Sequence, residues 1–385
     1  GGIAAAHFSL AACLRKRHEV AIFAFDDRAG QAESNVFRAQ TPAWLGRIME
    51  WVARRWVSRY AKNEAATNCE RIARMAPAVW SLNRALRSFK PDFILCPDNF
   101  VPALALRKPA GSKLIWIAHH NYRRFEGKPI ASDYSWIDLQ LAHRIERRAM
   151  KKADCVVAVS DYMKEVTQHS LEPSQPILVC RNYFDSEIVS KVRPSDLRQA
   201  LDISTETPIV HIPSAGSPVK GERYVFELVR RLGSDGRAAF FLSGNISSEL
   251  QKELEHVPPE IRIHAPGAQD YVSNLNDVAA CDLTVSPALI ENLSSAHIES
   301  LALGVPVVTF DVGGNKEIVN SGNNGFMVSY LDLESLISSA LGLLADNSAL
   351  AAMQQACSSS ISDLVSGDRV MLEYDVIFDT MRNSG

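Results

Sequence analysis

The sequence predicts an α/β protein built as two Rossmann-like domains in tandem, facing across a cleft. Three observations carry that reading. At 385 residues the chain exceeds what one ordinary hydrophobic core sustains. Short β-branched runs alternate with longer helical segments from one end to the other. Charge is split: residues 1–183 hold 28 Lys and Arg against 17 Asp and Glu, or +11, and the rest hold 13 against 27, or −14. Halves of opposite sign suit two domains with different partners, or two halves that attract each other. A basic half suits an anionic surface or acceptor.

In the first half, strand-like runs fall at residues 20–25, 93–96, 114–118 and 155–160. Helical spacing separates them at 4–16, 43–61, 70–88, 137–152 and 162–170. Each strand ends on polar or turn residues: Asp26-Asp27, Pro97-Asp98-Asn99, His119-His120-Asn121 and Ser160-Asp161. Ligands of open parallel sheets bind outside the carboxyl ends of strands, so these four tips are expected to share one crevice. The second half repeats the rhythm, with strands expected at 209–213, 239–243, 261–264, 283–286 and 306–310. Gly1-Gly2 and the alanines after it read as a glycine turn entering a helix. Such a turn is expected to follow a first strand, and no strand precedes it in the sequence.

The most informative stretch is 286–317, SPALIENLSSAHIESLALGVPVVTFDVGGNKE. Glu291 and Glu299 stand eight positions apart, with a helix start at Ser294-Ser295 between them. Gly304 and Pro306 stop that helix, a β-branched run follows, and Gly313-Gly314 make a turn. The free N–H groups at the start of the helix favour an anion. Glu291 is expected in the loop and Glu299 about one turn into the helix.

The pattern E-x7-E, then G-x-P-V-V and G-G-x-x-E, resembles the retaining glycosyltransferases of the GT-B fold, family four. The resemblance covers nearly the whole chain. Its nearest flavour, with Glu291-Asn292-Leu293, is similar to bacterial exopolysaccharide and lipopolysaccharide transferases. It implies an acceptor domain at 1–183, a nucleotide-sugar domain at 184–366 and a closing segment, 367–385, that crosses back to the first domain. It also implies transfer of a sugar from a nucleotide-diphosphate sugar to a glycan or lipid-linked acceptor in cell-envelope polysaccharide synthesis. Neither a cofactor nor a metal is implied.

By the same resemblance, Glu299 accepts hydrogen bonds from ribose hydroxyls and Glu291 contacts the transferred sugar. The amides of Leu293, Ser294 and Ser295 receive the diphosphate, and Lys220 neutralises the leaving group. Gly216 stands in the same phosphate loop. The family carries an Arg ahead of its Lys-Gly pair; here small residues occupy 214–216, and Arg223, one turn on, is the nearest substitute. Gly1 and Gly2 let backbone approach the sugar phosphate. His120 positions a sugar hydroxyl or relays a proton, whereas His119 and Glu317 read as structural. At the join, Asn182 and Asp185 match the family while Arg181 and Tyr183 replace its Pro and Gly.

Asp26-Asp27 read as a turn rather than a metal site. The seven cysteines show no CxxC and no regular framework, which fits reduced thiols in a cytoplasmic protein and argues against zinc. No apolar run reaches membrane-spanning length and no signal peptide is read. Residues 44–62, WLGRIMEWVARRWVSRYAK, admit two readings. Leu45, Ile48, Met49, Val52 and Trp56 share a face, which makes a core helix. Trp44 and Trp51 among Arg47, Arg54, Arg55, Arg59 and Lys62 instead make a helix lying on anionic lipid at the inner face of the plasma membrane. Two rivals to the transferase reading stay open: a nucleotide-sugar epimerase or glycogen-type phosphorylase, and a non-catalytic nucleotide- or glycan-binding homologue. No nucleic-acid module is read.

Overall fold

The computed structural model describes residues 2–25, 35–60, 65–130 and 135–383. Residues 182–367 form one compact unit, and residues 3–181 with the segment from 368 onward form another.

The N-terminal unit opens on α1 (Gly2–Leu14), β1 (Ile22–Ala24) and β2 (Val36–Arg38). Next come α2 (Ala43–Val57), α3 (Thr67–Phe89), β3 (Phe93–Pro97), β4 (Lys113–Ala118), α4 (Trp136–Met150), β5 (Cys155–Ala158), α5 (Asp161–Leu171) and β6 (Ile177–Val179). A parallel sheet runs β3-β4-β5-β6. β1 is not hydrogen-bonded to that sheet. It pairs in parallel with β2 as a separate ribbon, and both strands are only three residues long. Asp26 and Asp27 lie outside the described residues. Gly2 is already helical, so the expected glycine turn does not include it.

The polar side chains of this unit settle helix ends and strand tips. Buried Asp138 on α4 accepts the amides of Asn68 and Cys69 at 2.7 and 2.9 Å, placing a carboxylate on the first turn of α3. Asp98, just past β3, accepts the amides of His119 and His120 at 2.9 and 2.6 Å and so fixes the tip of β4.

α2 turns a different face inward from the one its apolar spacing predicts. Gly46, Ala53 and Val57 are buried, while Ile48 and Val52 are exposed. Small residues let α2 lie close to α3. Thr41 Oγ1 donates to the Arg74 carbonyl, and the Arg54–Glu70 and Arg74–Glu50 pairs flank the contact.

The C-terminal unit comprises α6 (Ser186–Lys191), α7 (Leu197–Leu201), β7 (Ile209–Ile212), α8 (Val225–Leu232), β8 (Ala239–Leu242), α9 (Ser248–Leu254), β9 (Ile263–His264) and α10 (Tyr271–Ala279). It continues through β10 (Leu283–Ser286), α11 (Ser295–Ala302), β11 (Val307–Phe310), β12 (Gly325–Val328), α12 (Leu333–Ala345) and α13 (Asn347–Ser360). Its parallel sheet runs β12-β11-β10-β7-β8-β9. Both faces are covered. Val210, Phe240 and Val308 pack into one cluster, while their neighbours Ile209, Phe241 and Val307 pack on the opposite side. Continuous apolar strands are the signature of such a doubly covered sheet. The strand order reverses between β7 and β10, and ligands of open α/β sheets bind beyond the carboxyl ends of the strands at such a switch point.

The last helix, α14 (Gly367–Asn383), packs with the N-terminal unit. Phe378 stacks on Phe93 of β3 at 4.4 Å, and Asp375 pairs with Arg17 and His18. Among the described residues no single helix is long and apolar enough to cross a membrane.

Candidate active site in the C-terminal unit

The loops after β7 and β10 meet at the switch point and are tied to each other by backbone. The amides of Leu289 and Ile290 both donate to the Val219 carbonyl, at 3.0 and 3.2 Å. Gly221 adopts φ +85°, and a Cβ there would lie 2.0 Å from the Pro287 carbonyl oxygen. Only glycine permits that approach. The result is a Lys220–Glu291 pair, Nζ to Oε1 at 2.7 Å, between residues 71 positions apart. Glu291 is buried and Lys220 half-buried. Burial pushes the Glu291 carboxyl up, but the Lys220 ammonium, His297 and Ser294 outweigh it and hold the pKa below the usual carboxylate value.

The turn after β11 seals the other side of the Glu291 loop. Gly313 has φ +63°, and a Cβ on it would stand 1.8 Å from the Glu291 carbonyl oxygen. Asn315 anchors this turn by donating to Thr309 Oγ1 and to the Phe310 carbonyl. Gly313→Ala is therefore expected to destabilise the chain by about 2–4 kcal/mol and to displace Glu291. Urea melts check it: a variant as stable as the wild type would show that the loop has room to yield.

α11 begins beside Glu291. Ser294 caps it, its Oγ accepting the His297 amide at 3.4 Å. The amides of Leu293, Ser294, Ser295 and Ala296 find no acceptor among the described residues, so the positive end of the helix is available to an anion. The Leu293 side chain is buried in the core, so only its backbone is placed to serve a ligand. Glu299 lies one turn on. It accepts a hydrogen bond from the Tyr271 hydroxyl at 2.8 Å. Burial raises its pKa to about 7, with the Tyr271 bond acting in the opposite direction.

Behind these residues a buried polar chain crosses three strands. Ser300 Oγ meets Thr284 Oγ1 at 2.9 Å, His211 Nδ1 lies 3.2 Å from Thr284 Oγ1, and His211 Nε2 lies 2.9 Å from Ser243 Oγ. Ser243 Oγ also accepts the Ser214 amide at 3.2 Å. The helix that carries Glu299 is thus joined to the start of the Lys220 loop. Burial lowers the pKa of His211 to about 3 and that of His297 to about 4, so both are neutral near pH 7.

Gly216 has a packing reason of its own: a Cβ there would lie 2.2 Å from the Asn245 carbonyl oxygen. Arg223 is exposed and has no side-chain partner among the described residues. Gly1 lies outside the described residues. His120 belongs to the N-terminal unit, where its ring packs on Tyr122 at 4.7 Å. Burial, and then the nearby Arg124, hold its pKa well below the usual histidine value. His119 is buried beside His7. Sequence reasoning missed Tyr271, His297 and His211. Tyr271 follows a recognisable helix cap at Asp270, but nothing local ties it to a glutamate 28 positions away.

Two family profiles match most of the chain. One, described as Glycosyltransferase Family 4, matches residues 1–187. The other, Glycosyl transferases group 1, matches residues 195–358 and contains Lys220, Glu291 and Glu299. The chain belongs to the family 4-like glycosyltransferases. Among its relatives is N-acetyl-alpha-D-glucosaminyl L-malate synthase of Bacillus anthracis, 25 % identical over 244 residues. That match covers 62 % of this chain and 62 % of the relative's length. The fold is GT-B, shared with sucrose-phosphate synthase of Thermosynechococcus elongatus at a TM-score of 0.74 and 15 % identity, covering 98 % and 92 % of the two chains. It is shared too with Anabaena HepE, solved with UDP and glucose, at 0.71 and 19 %, covering 99 % and 96 %.

Proposed function

We propose that this family member is a retaining, metal-independent glycosyltransferase. It moves a sugar from a nucleotide-diphosphate sugar to a glycan or lipid-linked acceptor in cell-envelope polysaccharide synthesis, on the cytoplasmic side. One observation carries the donor half of this reading: Lys220, Glu291 and the unclaimed amides of α11 converge where strand order reverses. The HepE structure, which contains UDP, supports a nucleotide donor.

In this reading the diphosphate rests on the amino end of α11, and Lys220 leaves Glu291 to neutralise it. Glu299 accepts the ribose hydroxyls. Glu291, freed from its ion pair, holds hydroxyls of the transferred sugar. The bond from the anomeric carbon to phosphate breaks as the bond to the acceptor oxygen forms on the same face, and the acceptor proton passes to the departing phosphate. Lysine and helix dipole together supply the charge that a metal would otherwise bring. His120, kept neutral by burial, orients a sugar hydroxyl rather than acting as a cation. The +11 charge of residues 1–183 supports an anionic acceptor.

A thermal-shift screen of UDP, GDP, ADP and dTDP with their sugars tests the donor assignment, because a ligand that binds only the folded state raises Tm. Selective stabilisation by one nucleotide and its sugar is expected. No shift with any of them would remove the proposed site. Turnover across an acceptor panel, with the anomeric configuration of the product read by NMR, separates transfer with retention from epimerisation and from binding alone.

A further inference from the structure

We propose that the outward face of α2 is a docking surface for an anionic lipid bilayer. The helix has its inward contact already, through Gly46, Ala53 and Val57 against α3. What remains outside is apolar. Trp44 and Trp51 are 61 % and 64 % exposed, and Ile48 and Val52 are 48 % and 47 % exposed. At 100° per residue these four side chains span about 100° of the helix, with Arg55 near the middle and Arg47 about 40° beyond Trp51, and Arg59 follows in the turn after the helix. All three arginines are exposed and lack a side-chain partner among the described residues. Arg54 differs, since it is held by Glu70.

The face carries no acid. The single carboxylate of α2, Glu50, is engaged by Arg74. Tyr60, just beyond the helix, adds another exposed aromatic ring.

The combination selects the partner. A protein docking on two tryptophans, an isoleucine and a valine would need acids to meet three interleaved arginines. A bilayer containing anionic lipid offers both halves in one layer: acyl chains for the apolar groups, and headgroup phosphates for guanidinium forks that reach outward on their flexible stems. Indole rings favour that same boundary. A helix of 15 residues, about 22 Å long, lies along the interface and is too short to cross it. The inference does not rest on the catalytic reading, because vesicle binding and sugar transfer are separate measurements.

The test uses the full chain and extruded vesicles of phosphatidylcholine, alone or with about one third phosphatidylglycerol. The wild type is expected to sediment with the anionic vesicles and not the neutral ones. Tryptophan emission should shift to the blue on binding, and salt should release the protein. Replacing Arg47, Arg55 and Arg59 together by Gln should weaken partitioning on the order of 100-fold. Trp44→Ser with Trp51→Ser should weaken it at least about tenfold. Trp136→Ser, a change to a 68 % exposed tryptophan on α4, should leave it unchanged. All variants alter exposed side chains, and unchanged melting curves confirm that they fold. Equal binding to both vesicle types, binding to neither, or an arginine triple variant that binds like the wild type overturns the proposal. So does a dimer, seen by sedimentation velocity, that the Trp44/Trp51 double variant dissolves, since the face would then belong to a second copy of the chain.

Discussion

Lys220→Ala is expected to lower turnover about 100-fold or more, the usual cost of removing one preorganised charge from a leaving group. The same substitution strips the buried Glu291 of its counterion. Its carboxyl then loses the cation that opposes burial, so its pKa rises and the variant loses about 1–3 kcal/mol of stability. The two effects separate in a double variant. Lys220→Ala combined with Glu291→Gln removes the stranded charge, so stability should return while turnover stays low. Steady-state kinetics and urea melts on the two single variants and the double variant decide it. If turnover recovers together with stability, the pair is structural and the diphosphate is held elsewhere.

The second large effect concerns pH and Glu299. Its folded pKa, about 7, stands above the ordinary glutamate value of 4.5. Between those two values the folded protein keeps a proton that the unfolded chain has lost. Stability from this group is therefore complete below about pH 4.5 and is lost as pH rises through about 7, a change on the order of 2 kcal/mol. Donor affinity should move in the opposite sense. A carboxylate accepts two hydroxyls better than the protonated acid, so affinity should climb up to about tenfold per pH unit below 7 and level off above it. A nucleotide sugar is the ligand of choice, since its phosphodiester groups do not titrate in that range. Calorimetry from about pH 5.5 to 8.5 should give this slope for the wild type and a flat, weak profile for Glu299→Gln. A slope that survives in the variant assigns the titration to another group.

What could be read from residue order was the chemistry of loops with strong punctuation. A glycine and a proline stop α11 within two residues of each other, and β-branched strands on either side leave little choice of register. Glu291 in its loop and Glu299 one turn into the helix follow from that punctuation alone. Three things were hidden for physical reasons. The inward face of α2 is made of Gly46 and Ala53, which matter through their smallness; a periodicity argument sees bulk and so selected the wrong stripe. β1 has an apolar run that reads as sheet, yet whether it joins β3 depends on pairing partners far away in sequence, and its partner is the equally short β2. The Tyr271–Glu299 bond and the His211 chain join residues brought together only by strand order.

The placement of α14 has a consequence for synthesis. Phe93 on β3 is covered by a ring 285 positions later, and Arg17 and His18 wait for Asp375. As the polypeptide leaves the ribosome, the amino-terminal half stays unfinished while the whole carboxyl-terminal half is made and can close by itself. A released chain that ends before residue 367 should thus hold a protease-resistant second half and a vulnerable first half, reversing the usual order of vectorial folding.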